Sequence, residues 1–237
     1  MIRRLIAQSA RPFTGMARLL AGAALAPDCP ACGAPMGSQA KGICADCWAE
    51  VDDDRFPAGP QPAGSRHLDS MACVGPYRGR LRAVIRCLKF AEMPGLAWPL
   101  AERLAPALVP EAARPDAVVA VPLHWARRWR RGYNQSELLA RGVARLLRAG
   151  RPLPALKRAR RTAPQPGRSR RERVRNVRGA FEASAGGGRL EGARVLLVDD
   201  IVTTGATLRE CARVLRQAGA REVHAAAVGR TLTRNDS

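Results

Sequence analysis

The sequence predicts an α/β protein, a parallel sheet flanked by helices, preceded by a small cysteine-rich module. Two observations predict the sheet and its appendage. From about residue 71 onward, short apolar runs of strand length alternate with amphipathic stretches of ten or more residues, the pattern of βαβ units covered on both faces. Upstream, two C-x-x-C pairs stand in a segment too short to bury a core of its own. A Pro/Gly-rich stretch, "FPAGPQPAGS" at 56–65, separates the two. The expected division is an N-terminal helix (1–25), a four-cysteine module (26–55), a linker (56–70) and the main domain (71–237).

Each element has its own signal. "MIRRLIAQSARPFTGMARLLAGAALA" starts basic and ends Ala-rich, but Arg11 and Arg18 interrupt its apolar stretch, so a docked amphipathic helix is expected and not an export signal or a membrane span. This reads as a cytoplasmic protein, with peripheral membrane contact as the alternative. "ACVGPYRG" has strand character closed by a turn, and 80–90 carries Leu81, Val84, Ile85 and Leu88 at helical spacing. "DAVVAV" (116–121) is a strand stopped by Pro122. "NQSELLARGVARLLRAG" is an amphipathic helix with Leu138, Leu139, Val143, Leu146 and Leu147 inward and Gly150 as its stop. A buried strand at 194–199, a helix at 207–218 with Leu208, Cys211, Ala212 and Leu215 inward, and the strand "EVHAAAVG" complete the series.

The chain has 237 residues with 40 Lys plus Arg against 20 Asp plus Glu, a formal charge of +20. Only Lys41, Lys89 and Lys157 are lysines. Such a balance favours polyanionic partners, although an Arg-rich, Lys-poor composition also follows from genome base bias, so clustering has to decide. Seven cysteines are an odd number, which argues against a disulfide framework. Cys87 and Cys211 lie among apolar residues as small buried hydrophobes. Cys29, Cys32, Cys44 and Cys47 supply four thiolates for a closed tetrahedral zinc site, a structural one with no open position for chemistry; disulfides or four buried thiols are the alternatives.

"VLLVDDIVTTGAT" (195–207) runs a buried strand into two adjacent carboxylates and then a loop of hydroxyls and glycine that opens a helix. Ligands in open parallel sheets bind beyond the carboxyl ends of the strands. Asp199 and Asp200 can accept hydrogen bonds from vicinal hydroxyls. Thr203, Thr204, Gly205, Ala206 and Thr207 offer backbone N–H groups and hydroxyls at a helix N-terminus, where the dipole favours an anion. Acids beside a phosphate cradle suit a ribose 5-phosphate.

These thirteen residues resemble the phosphoribosyl pyrophosphate (PRPP) binding motif of type I phosphoribosyltransferases. Together with "VPLHWARRWRRGYNQSELLA" (121–140), "RRTAPQPGRSRRERVRNVRGAF" (160–181) and the two C-x-x-C pairs, they are similar to the ComF family, proteins associated with DNA uptake in competent bacteria. The resemblance covers about residues 26–231. It implies Asp199 and Asp200 on the ribose hydroxyls, Thr203 to Thr207 on the 5-phosphate, and Pro122, Leu123 and His124 in the pyrophosphate loop; Arg127, Arg128, Arg130 and Arg131 are candidates for electrostatic stabilisation of the departing pyrophosphate. It also implies a closing loop at 160–176, with Gln165, Arg173 and Asn176 at its polar positions, and magnesium bound with PRPP. Activity as a phosphoribosyltransferase, a pentosyl glycosyltransferase, follows from the resemblance with no acceptor and no catalytic residue assigned. Amidophosphoribosyltransferases, which the stretch leading into the motif also resembles, carry an acid after "VP". Here Leu123 and His124 follow Pro122, so magnesium would rest mainly on ligand oxygens and water.

Charge clusters as well. Residues 157–178 hold ten Lys or Arg against Glu172 alone, and Arg127, Arg128, Arg130 and Arg131 stand beside Trp125 and Trp129. Arginines interleaved with aromatics suit a single-stranded nucleic acid. Two function classes result: a magnesium-dependent transferase, and a non-catalytic single-stranded DNA-binding protein of the uptake machinery for which PRPP is a regulatory ligand. Arg168, Arg170 and Arg171 are expected on DNA phosphates, with Arg209, Arg213 and Arg216 as exposed arginines that matter less.

Overall fold

The computed structural model describes residues 27–37, 42–57, 65–108, 110, 112, 114–123, 129, 131–160, 170–184 and 190–232. The expected N-terminal helix lies outside them, as do residues 58–64 of the 56–70 linker.

Six strands and six α-helices are described: α1 (Ala45–Asp53), β1 (Ser70–Pro76), α2 (Gly79–Phe90), α3 (Ala97–Leu104), β2 (Ala117–Ala120), α4 (Gln135–Leu146), β3 (Leu156–Arg158), α5 (Arg170–Val177), β4 (Phe181–Ala183), β5 (Arg194–Val202), α6 (Ala206–Gln217) and β6 (Glu222–Arg230). Four strands form a sheet in the order β1-β6-β5-β2, and every pairing in it is parallel. β3 and β4 form a separate antiparallel pair.

The pleat of β5 explains the layers. Leu196 and Val198 point into one apolar cluster with Leu88 of α2, Leu100 of α3 and Leu139 and Val143 of α4. Val195 and Leu197 point the opposite way, against Leu208, Cys211 and Leu215 of α6 and Phe181 of β4. A strand buried on both faces can be apolar at every position, which is why "VLLV" carries no alternation. Each leucine so buried contributes roughly 1.5–3 kcal/mol. Leu208, Cys211, Ala212 and Leu215 are all buried as expected, and so is Cys87. Burial pushes the Cys211 thiol well up and that of Cys73, in β1, up to about 12, so both stay protonated.

Leu146 departs from expectation: it is 38% exposed. α4 ends at Leu146, and Leu139, Val143 and Ala140 already fill the face turned to the sheet. α3 and α4 pack closely at Gly142, where a Cβ would stand 2.6 Å from Ala101 Cβ.

The four-cysteine module shares the first core. Cys29, Met36, Ile43, Cys47 and Val51 join the same cluster as Leu88 and Leu96. Ion pairs Arg78–Asp54 (2.8 Å), Arg80–Glu50 (2.9 Å) and Arg103–Asp52 (2.7 Å) tie α1 and its end to α2 and α3. The Arg103 guanidinium also lies 4.2 Å from the centre of the Trp48 ring.

Candidate functional site

Asp199 and Asp200 lie inside β5, which continues to Val202, and do not emerge beyond a strand ending at 199. The ladder with β6 persists through Ile201 and Val202, and Thr231 N donates to Val202 O. The two adjacent carboxylates meet different neighbours, on α2 and on α4.

Asp200 takes a cation: Lys89 Nζ, in the last turn of α2, lies 2.9 Å from its Oδ1. Both side chains are largely buried. Asp199 takes a hydroxyl instead, Ser136 Oγ donating to its Oδ1 at 2.9 Å, and the Asp200 N–H donates to the same oxygen at 2.9 Å. Removal from water pushes Asp199 up to about 7, and the Asp200 charge adds to this. The hydrogen bonds from Asp200 N and Ser136, and the Lys89 charge, act the other way without cancelling it.

Ser136 is positioned by a helix cap. Asn134, the N-cap of α4, accepts from Ser136 N at 3.1 Å through its side-chain oxygen. Its Nδ2 donates to Val121 O at 3.1 Å, which ties the start of α4 to the end of β2. Next to it, Tyr133 OH donates to Leu88 O at 2.6 Å and fixes the end of α2 that carries Lys89.

The loop after β5 turns through Gly205, at φ 69°, which caps α6. This left-handed conformation suits glycine. The Arg209 guanidinium folds back over it: Nη2 donates to Thr204 O at 2.6 Å, and a Cβ on Gly205 would stand 2.8 Å from Nη1. Thr203 is exposed, Thr204 and Thr207 half-buried and Ala206 buried.

On the neighbouring strand Ala120 pairs with Val198, and Val121 N donates to Val198 O at 2.9 Å. β2 ends at Ala120, and Pro122 and Leu123 follow at the same end of the sheet. Asp199, Asp200, Thr203 to Thr207, Pro122 and Leu123 are thus gathered at one end of the sheet. His124, Arg127, Arg128 and Gln165 lie outside the described residues, as does the Arg173 side chain, although its backbone belongs to α5. Asn176, on α5, is half-buried.

The arginines of α6 are not the exposed set expected. Arg213 pairs with Glu210 at 2.7 Å and donates to Gln217 at 2.6 Å, Arg216 pairs with Asp69 at 2.5 Å, and Arg209 is held on Thr204. All three are half-buried, because acids and carbonyls lie within reach of each.

The cysteine quartet forms a second site. Cys29 and Cys47 sulfurs are 3.9 Å apart, Cys32 and Cys44 sulfurs 3.7 Å, and all four lie within 4.8 Å of one another. Four thiolates at about 2.3 Å from a tetrahedral zinc stand roughly 3.8 Å from each other, so these residues could hold such an ion. Gly33, at φ 77°, allows the turn in which its N–H donates to Cys29 O at 2.7 Å. Ala34 N and Cys44 N donate to the sulfurs of Cys32 and Cys29, both at 3.4 Å, the outer-shell bonds that orient thiolate ligands.

Among the described residues, no helix is long and apolar enough to cross a membrane.

Residues 130–235 match the phosphoribosyl transferase domain. The chain is 33% identical over 186 residues to "Competence protein F" of Haemophilus influenzae, covering 76% of this chain and 81% of that protein. It is 34% identical over 224 residues to "DNA utilization protein YhgH" of Escherichia coli K12, covering 86% and 97%. A solved structure of the allosteric regulatory enzyme of purine biosynthesis aligns with a TM-score of 0.35 and 33% sequence identity, over 57% of this chain and 25% of that one.

Proposed function

Because the chain belongs to the ComF family, with Competence protein F and DNA utilization protein YhgH as relatives over most of its length, we propose that it binds PRPP at the end of β5 and serves DNA uptake or use. One observation carries the reading: a pair of carboxylates, one paired with Lys89 and one held by Ser136, runs without interruption into a glycine-turned hydroxyl loop at the N-terminus of α6.

Asp199 and Asp200 accept from the ribose 2- and 3-hydroxyls, and the Thr203–Thr207 loop takes the 5-phosphate on its N–H groups and hydroxyls. Asp199 binds best as the carboxylate. Pro122 and Leu123 bring backbone groups to the pyrophosphate, and the arginines at 127 and 128 neutralise it. Magnesium, when bound with PRPP, would supply charge neutralisation of the leaving group. Phosphoribosyl transfer asks little acid–base chemistry of the protein, since stabilising the departing pyrophosphate supplies most of the rate. The cysteine quartet holds structural zinc, and the retention of so many thiols suits a reducing, cytoplasmic setting.

The second reading makes PRPP a regulatory ligand of a single-strand binding protein. It is favoured by the basic cluster at 157–178 and by the similarity to a DNA utilization protein. Pyrophosphate release from PRPP and magnesium, assayed across nucleobase and amine acceptors with and without single-stranded DNA, separates the two. Release with any acceptor supports the transferase. Binding without release under every condition supports the regulatory reading.

A further inference from the structure

Consecutive residues at the end of α2 each reach a different part of the molecule. Cys87 Sγ donates to Pro30 O at 3.3 Å, inside the first C-x-x-C turn. Leu88 O accepts from Tyr133 OH at 2.6 Å, just before the N-cap of α4. Lys89 Nζ stands 2.9 Å from Asp200 Oδ1. The last turn of α2 thus touches the cysteine quartet, the start of the helix that carries Ser136, and the carboxylate pair.

This turn is fixed to the module by packing as well. Cys87 and Leu88 are buried in the cluster that also holds Cys29, Met36, Ile43 and Cys47. Leu96, shortly after α2, joins that cluster, and a Cβ on Gly42 would stand 3.7 Å from its Cδ2. At the start of α2, Arg78 and Arg80 pair with Asp54 and Glu50. The helix is therefore latched to the module at both ends, and close-packed elements transmit a displacement instead of absorbing it. A module with so little core of its own depends on a metal held by its thiolates for its order. Pro30 lies between two of those ligands. Losing the ion frees the Pro30 carbonyl from its turn, and with it the tie to Cys87 and the module's side of the packing over Leu88 and Leu96.

The residue type at 89 fits a positioned charge. Lys41, Lys89 and Lys157 are the only lysines in a chain that otherwise uses arginine. Lys157 meets Glu182 at the surface, where both side chains are more than half exposed, whereas Lys89 is largely buried. A compact ammonium reaches one carboxylate oxygen there, while the planar fork of arginine would ask for a bidentate partner. An enclosed pair tolerates little displacement, because separation leaves each charge without compensation.

We infer that the last turn of α2 couples the zinc module to the carboxylate pair: the occupied quartet, through Cys87 and the packing around it, holds Lys89 on Asp200, so zinc occupancy sets the affinity of the pair for a ribose phosphate. Cys87 and Lys89 act as positioning residues. The ligand half of this inference rests on the proposed PRPP site; the Lys89 half does not.

The test uses the full chain in four forms: zinc-loaded wild type, zinc-free Cys32→Ser/Cys44→Ser, Cys87→Ala, and Cys73→Ala as a control that empties an equally buried thiol site in the cluster on the other face of the sheet. Labelling with 15N-lysine gives ammonium resonances from Lys41, Lys89 and Lys157 only, and Lys89→Arg identifies that of Lys89 by removing it. The Lys89 resonance should be protected from water exchange in the wild type and in Cys73→Ala, and should broaden or vanish in the zinc-free and Cys87→Ala proteins. Calorimetry with PRPP and magnesium should show affinity at least about fivefold lower without zinc and at least about threefold lower in Cys87→Ala, which keeps its metal. Linkage then requires PRPP to tighten zinc by the same factor as zinc tightens PRPP, read by competition with a zinc-selective chelator. An unmoved Lys89 resonance with equal PRPP affinity in all four forms would overturn the inference and leave the PRPP site standing, and equal effects of Cys73→Ala and Cys87→Ala would overturn it as general loosening. If PRPP does not bind the zinc-loaded wild type while the Lys89 resonance follows zinc, the PRPP site falls and the coupling of the module to the pair stands.

Discussion

Lys89 Nζ lies 2.9 Å from Asp200 Oδ1, so the one lysine of α2 neutralises one of two adjacent carboxylates and leaves Asp199 to the Ser136 hydroxyl. Separating a largely buried pair leaves a charge without compensation. Lys89→Met is therefore expected to cost about 3 kcal/mol of stability, and Lys89→Met/Asp200→Asn distinctly less, because the orphaned charge is gone. A double-mutant cycle by chemical denaturation should return a coupling of at least about 1 kcal/mol. Additive single effects would show that the pair does not matter to folding.

The raised pKa of Asp199 has a definite sign. At about 7, against roughly 4 for a carboxylate in an unfolded chain, the folded state binds more protons between these values. Stability must then fall as pH rises from about 4 to 7. Asp199→Asn removes this dependence while preserving an acceptor for Ser136. Its thermal midpoint should gain on wild type as pH goes from 5 to 8. Parallel curves across that range would contradict the burial argument. PRPP affinity of the wild type should correspondingly rise through pH 7, as the carboxylate forms.

Gly205 holds a left-handed backbone under the Arg209 guanidinium. Gly205→Ala adds strain of about 1 kcal/mol and displaces Arg209 from Thr204 O. The expected result is a small loss of stability with a larger loss of affinity for inorganic phosphate or PRPP, read by calorimetry. An unaltered affinity would mean that this turn does not shape the anion site.

The cysteine quartet should bind one zinc per chain. Cys32→Ser or Cys44→Ser should lose the metal and loosen α1 from α2 and α3, which amide exchange across 45–53 would register. Zinc-free protein after purification without chelator, or full metal retention in both variants, would reject the site.

The parallel sheet was legible because its strands are continuous apolar runs and its helices carry a clear 3.6-residue period. β3 and β4 were not: each has three residues, and their partners stand some two dozen positions apart with no hairpin turn between them. α3 hid behind Pro99, which reads as a breaker unless it falls in a first turn. The carboxylates and the hydroxyl loop are contiguous in sequence and announced themselves. Lys89 and Ser136 are 111 and 64 positions from Asp200, so only folding brings them to the pair. For Ser136 a local trace existed, since N-Q-S-E before an apolar periodic run is a helix start. The α6 arginines misled because helical position predicts a face and not the acids that await it across the fold.

Titration calorimetry of PRPP with magnesium at pH 8 into wild type and Asp199→Asn/Asp200→Asn tests the central claim most directly. The wild type should bind one PRPP per chain, with adenosine monophosphate weaker because it lacks the pyrophosphate. The double variant should lose about 1.5–3 kcal/mol for each charged hydrogen bond removed, at least tenfold in affinity. Equal PRPP affinity in the two proteins, with both folded, would contradict the assignment of this site.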